Sequence, residues 1–115
     1  MARKYGDVKY RVIQEAGIGK KVAKRARADV GGAVAAATSE RILIEDTTRA
    51  VTVTLPASPS FEDEISVVVV NGRLDNVVAR NGQRIQGLTE DLTIDVENAA
   101  FSLIYVNSTF GWRII

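Results

Sequence analysis

The sequence contains neither cysteine nor histidine. Without cysteine there are no disulfides and no zinc site built on thiolates. Without histidine the usual general base near neutral pH and the commonest metal ligand are gone, and a Ser–His–Asp triad is excluded with them. There are two prolines, one tryptophan, three tyrosines and three phenylalanines. No apolar run approaches the about 20 residues that a membrane-spanning helix needs. The basic N-terminus is not followed by the apolar stretch of a secretory signal. No Gly-rich loop joins a strand to a helix, so nucleotide binding of the P-loop or dinucleotide type has no support. No cofactor and no membrane partner are implied.

What is present suits one small domain. The chain has 115 residues, 46% of them apolar, which is enough for a modest core. The net charge of +1 hides a division. Residues 1–37 carry nine Lys and Arg against three acids, and residues 38–115 carry six against eleven. Such asymmetry suggests a basic arm joined to an acidic domain.

Val8-Lys9-Tyr10-Arg11-Val12-Ile13 alternates apolar and basic residues and predicts a short strand. Gly17 and Gly19 break it. Residues 20–28 hold helix formers, enough for one or two helical turns, but their apolar face is too thin to anchor them. Ala33-Val34-Ala35-Ala36-Ala37 has little to bury. Residues 1–38 are therefore expected to form an extended basic arm that orders against a partner, with the β domain at 39–115. The arm's candidate binding residues are Arg3, Lys4, Lys9, Arg11, Lys20, Lys21, Lys24, Arg25 and Arg27. Phosphate neutralisation would explain such a cluster, but no aromatics are interleaved for base stacking. Nucleic acid is thus disfavoured against an acidic protein surface.

The domain reads as strands. Arg41-Ile42-Leu43-Ile44-Glu45 is followed by a turn. Val51-Thr52-Val53-Thr54-Leu55 alternates cleanly, with Val51, Val53 and Leu55 inward. Pro56 and Pro59 end it. Ile65-Ser66-Val67-Val68-Val69-Val70 is the most apolar run, β-branched and suited to burial on both faces. Asn71-Gly72 signals a hairpin turn into residues 74–80, and Asn81-Gly82 a second tight turn. Ile85 stands alone between two glycines and must pin its loop to something apolar. Residues 92–96, 100–106 and 112–115 complete the set. This pattern predicts an all-β fold, a compact antiparallel β-sandwich or small barrel of about seven short strands.

Catalysis finds little support. Glu45/Asp46, Glu62/Asp63/Glu64 and Glu90/Asp91 are paired acids, but all sit in expected loops, where solvated carboxylates are the ordinary case. The spacing of a calcium-binding helix–loop–helix is absent. Trp112 is either an exposed sugar platform or a core anchor, and the area it buries favours the anchor.

An ordered set of segments goes further. It comprises Val51-Thr52-Val53-Thr54-Leu55-Pro56-Ala57-Ser58-Pro59, Ala79-Arg80-Asn81-Gly82-Gln83-Arg84-Ile85-Gln86-Gly87, Asp91-Leu92-Thr93-Ile94-Asp95, Phe101-Ser102-Leu103-Ile104-Tyr105-Val106 and Gly111-Trp112-Arg113. In these, the chain from Ile44 to Ile115 resembles a β module of tailed-phage virion structural proteins. That module recurs in capsid decoration (cement) proteins and in tail-fibre and neck proteins. The resemblance implies an assembly module without enzymatic activity or cofactor, commonly a homotrimer. The short basic arm and the lack of a fibrous shaft favour a decoration protein on the outer surface of the phage head. Its arm would bind neighbouring subunits of the major capsid protein. Val67, Val69, Phe101 and Tyr105 are the candidate contacts between copies of the chain. The alternative is a tail-fibre, neck or baseplate component that contacts host surface glycans.

Overall fold

The computed structural model describes residues 22–26 and 32–115. Nine β-strands and no helix lie among them: β1 (Val22–Ala26), β2 (Ala33–Ala35), β3 (Glu40–Ile44), β4 (Thr52–Thr54), β5 (Glu64–Val69), β6 (Asn76–Ala79), β7 (Leu92–Ile94), β8 (Ala100–Tyr105) and β9 (Trp112–Ile114). They form two mixed sheets, a five-stranded one in the order β1-β3-β5-β8-β9 and a four-stranded one in the order β2-β4-β6-β7.

The all-β class follows from the alternating residues, and β3 to β9 fall where the sequence pattern puts strands. The pairing differs from the antiparallel sandwich or barrel expected. Successive strands from β1 to β6 alternate between the two sheets, so each pairs with the strand two places away. β1 with β3, β3 with β5, β2 with β4 and β4 with β6 are all parallel. A parallel pair needs a long crossover, and here a strand of the opposite sheet supplies it. The chain thus winds in coils stacked side by side, the arrangement of solenoid proteins. Ile44 faces Val69 and Thr52 faces Val77, so residues of the second and third coils stand 25 positions apart in both sheets. Only β5–β8, β6–β7 and β8–β9 are antiparallel.

Asn71-Gly72 accordingly opens no hairpin. β5 and β6 lie in different sheets, and the two residues turn a corner between them. Asn71, stacked on Asp46 of the previous coil, donates from Nδ2 to the Asp46 carbonyl at 2.9 Å and to Asn76 Oδ1 at 3.1 Å. Its Oδ1 accepts from Arg73 N and Asn76 Nδ2, both at 3.1 Å. Asn76, wholly buried, also accepts from Val51 N at 3.0 Å. Two side-chain amides thereby satisfy the corner's buried polar groups, which would be costly unpaired.

Both sheets feed one core. Ile42, Ile44, Ile65, Val67, Leu103 and Trp112 come from the larger sheet, and Val53 and Val78 from the smaller, with Val51 and Leu55 flanking β4. Thr52 and Thr54 stay half-buried on the outer face. Two strands come from the segment expected to be arm. Val22–Ala26, read as helical turns, is a strand parallel to β3. Ala33–Ala35 pairs with β4, and Val34 and Ala36 join the core. Val8–Ile13 lies outside the described residues.

Candidate interaction surface

The stretch from Arg80 to Asp91 organises one end of the molecule. It consists of two tight turns in succession. Gln83 N donates to the Arg80 carbonyl at 3.2 Å around Asn81 (φ 50°) and Gly82 (φ 91°). Positive φ at both central residues is the geometry that Asn-Gly favours. Ile85 and Leu88 then exchange backbone hydrogen bonds of 3.0 and 2.9 Å around Gln86 and Gly87. Arg80 N closes the base of the loop on Asp91 Oδ1 at 2.9 Å, and Asn81 Nδ2 ties it to the Leu55 carbonyl at 2.9 Å.

This loop closes the outer edge of β9. Trp112 N donates to the Arg84 carbonyl and Gln86 N to the Trp112 carbonyl, both at 2.7 Å. Ile114 N then donates to Gln86 Oε1 at 3.0 Å, so a side-chain amide continues the ladder where the loop's backbone turns away. Covering an edge in this way removes a template for unwanted strand pairing. Ile85 is buried under the loop and joins the core, which is the pinning its isolation predicted. Gly111 has a φ of 73°, and a Cβ there would overlap the Arg84 carbonyl.

The same end gathers the loops 55–63 and 106–111. Glu62 N donates to the Tyr105 carbonyl at 2.9 Å and Val106 N to the Gly111 carbonyl at 3.0 Å. Tyr105 Oη donates to Gln83 Oε1 at 2.8 Å, and Gln83 Nε2 reaches the Ala57 carbonyl at 3.3 Å. Three loops are thus fixed to one another, and each exposes one large apolar side chain. Phe61 is 70% exposed, Leu88 57% and Phe110 52%. Apolar side chains exposed on loops fixed by a scaffold suit a contact surface, although Val70, Leu74, Val96 and Ile115 are exposed to a similar degree elsewhere in the chain.

Several of the acids serve structure. Asp63 Oδ2 accepts from Ser60 N at 2.8 Å. Asp46 is buried and accepts from the amide and hydroxyl of Thr48, with Arg49 Nε 3.2 Å from its other oxygen. The Thr48 hydrogen bonds hold its carboxyl below the ordinary value, opposed by burial and helped by Arg49 and Arg73. Among the described residues no three acids converge as metal ligands.

Of the basic residues assigned to the arm, Arg3, Lys4, Lys9, Arg11, Lys20, Lys21 and Arg27 lie outside the described residues, and Lys24 and Arg25 fall within β1. The four candidate contacts between copies are used otherwise. Val67, Val69 and Tyr105 are buried in the chain's own core, and Phe101 is half-buried against it. Val67, Val69 and Tyr105 so placed have little surface left for a second copy. Trp112 is wholly buried and meets Tyr105 edge-to-face with ring centroids 5.3 Å apart. It is an anchor of the core and cannot serve as a sugar platform. Sequence pattern missed the pairing of Asn71 with Asn76 and the edge closure by Gln86, because both link residues whose neighbours depend on the sheet order. No family model matches the chain, and the search of curated proteins finds no match.

Proposed function

We propose that the chain is a structural protein of a tailed-phage virion, a capsid decoration protein that stabilises the assembled head. The observation that carries this reading is the end surface, where three interlocked loops hold Phe61, Leu88 and Phe110 in solvent. Such a surface is suited to contact, and two acids near it, Asp63 and Asp91, accept hydrogen bonds from the backbone amides of Ser60 and Arg80. The basic residues before β1 supply a second attachment, steered toward acidic surfaces of neighbouring major capsid subunits. Several copies joined in a homo-oligomer would bind multivalently, so that weak contacts add up to strong avidity. Binding only to the assembled shell stabilises that shell by mass action.

The test is binding of the purified protein to expanded, undecorated heads. Deleting residues 1–21 leaves Val34 and Ala36 in the core, so the truncated protein should fold and bind far more weakly. Equal binding by the truncated protein would refute the arm's role. Stacked parallel coils favour a second reading, a tail-fibre or neck component, since coils of this kind can multiply along an axis. Copy number per particle separates the two. A decoration protein is present at every site of the shell lattice and a fibre only at the tail.

A further inference from the structure

The chain holds two Asn-Gly pairs, and the structure places them in opposite chemical situations. We propose that Asn81 is a modification site, at which the chain converts asparagine to aspartate and isoaspartate, whereas Asn71 is held inert. The inference does not depend on the reading of function above.

In this reaction the backbone nitrogen of the following residue attacks the side-chain Cγ. A new N–C bond forms, the Cγ–Nδ2 bond breaks, and ammonia leaves with the proton given up by the amide. Water then opens the resulting succinimide at either carbonyl, giving aspartate or isoaspartate. Glycine in the following position leaves the attacking nitrogen least shielded, because it lacks a Cβ. Both pairs meet that requirement, so their surroundings decide.

Asn71 is buried, and its amide takes part in four hydrogen bonds, with Asp46 O, Arg73 N and both amide atoms of Asn76. Rotating Cγ toward Gly72 N would break all of them inside the corner between β5 and β6. Asn81 is exposed and bonds through Nδ2 to the Leu55 carbonyl. The space beside Gly82 and beside Gly72 is alike open, with nothing but chain neighbours within 4 Å of where a Cβ would stand, so the burial and hydrogen bonds of the two asparagines make the difference. Water and base reach the turn at Asn81, and a local opening of residues 80–83 exposes Cγ without disturbing the core.

The modification also has a structural effect. Asn81 Nδ2 is the donor that ties the base of the edge-closing loop to the end of β4. A carboxylate there faces the Leu55 carbonyl with no proton to give, and isoaspartate adds a methylene to the turn. The loop that carries Ile85 to Trp112 is loosened at its base.

The experiment is incubation of the full chain in mildly alkaline buffer, with peptide mapping by mass spectrometry, natively and in denaturing urea. In urea the two sites should convert at similar rates, since both are Asn-Gly. In the native protein Asn81 should convert at least about tenfold faster than Asn71, the difference made by the additional hydrogen bonds that hold Asn71. A native ratio near one, faster conversion at Asn71, or no conversion at Asn81 would overturn the proposal. The Asn81→Asp variant reads out the consequence, as severalfold faster proteolytic cleavage after Arg84.

Discussion

The first six strands and the last three solve the same problem differently. In the coiled part, β1 to β6, neighbours in a sheet are separated in sequence by a strand of the other sheet. Its corners repeat at the same spacing, with Asn71 stacked on Asp46 and Asn76 on Val51. In the closing part, β7 to β9 and the loop from Arg80 to Asp91, pairing is antiparallel and the edge of the sheet is sealed by Arg84 and Gln86. A stack of coils can go on adding coils, and the closing part ends it. The exposed Phe61, Leu88 and Phe110 also belong to the end where that closure is made.

This contrast can be broken from either side. The largest effect is expected from Trp112→Ala, which removes the largest fully buried side chain and the partner of Tyr105. A loss of about 3–5 kcal/mol follows from the cavity and the lost burial, measured by urea unfolding, and it lowers the stability of both parts together. Gly111→Ala should cost about 3 kcal/mol, from positive φ and collision with backbone that cannot move aside. Its signature in hydrogen exchange is local, with protection lost in β9 and at Gln86 and retained in β3 to β6. Asn76→Ala strikes the coiled part instead. It leaves Val51 N and one side of Asn71 without partners in a buried corner, at a cost of about 2–3 kcal/mol. Its loss of exchange protection should centre on β4 and β6.

The smallest effect comes from pH. The hydrogen bonds from Thr48 hold the Asp46 carboxyl below its ordinary value, so folding favours the ionised form. The resulting stability is present above the unfolded value of about 4 and is lost as the pH falls through the folded one. Asp75 shifts in the same direction through Arg73. Melting temperature followed between neutral and acid pH should fall less steeply in Asp46→Asn than in the unaltered chain.

Where each strand lies was largely legible, because alternation of the kind in Val51, Val53 and Leu55 reports which side chains face inward. Which strand pairs with which was not. Alternation fixes a strand's face and says nothing about its neighbour, and Asn-Gly suits a corner as well as a hairpin. The two Asn-Gly pairs show this well. Asn81 and Gly82 both have positive φ in a tight turn, while at 71–72 only Gly72 does. β2 escaped notice because it buries only Val34 among alanines. The role of Ile85 was legible from its isolation, and the role of Gln86 was not, since its acceptor oxygen matters only once β9 lies alongside. Phe61 and Phe110 lie in loops between strands that the sequence pattern places. That Leu88 shares their end depends on the two turns of its loop.

Stacked coils make a different contact map from hairpins, and the absence of native cysteine allows a direct comparison. Leu43 and Val68 are neighbours across the parallel pair β3–β5, and both side chains are half-buried on the outer face. A Leu43→Cys/Val68→Cys variant should form an intramolecular disulfide readily under mild oxidation, with melting temperature maintained or raised. A hairpin turning at 71–72 would instead bring Val68 beside Asp75, and a Val68→Cys/Asp75→Cys variant should stay reduced. The reverse outcome, crosslinking of 68 with 75 and none of 43 with 68, would contradict the coiled arrangement.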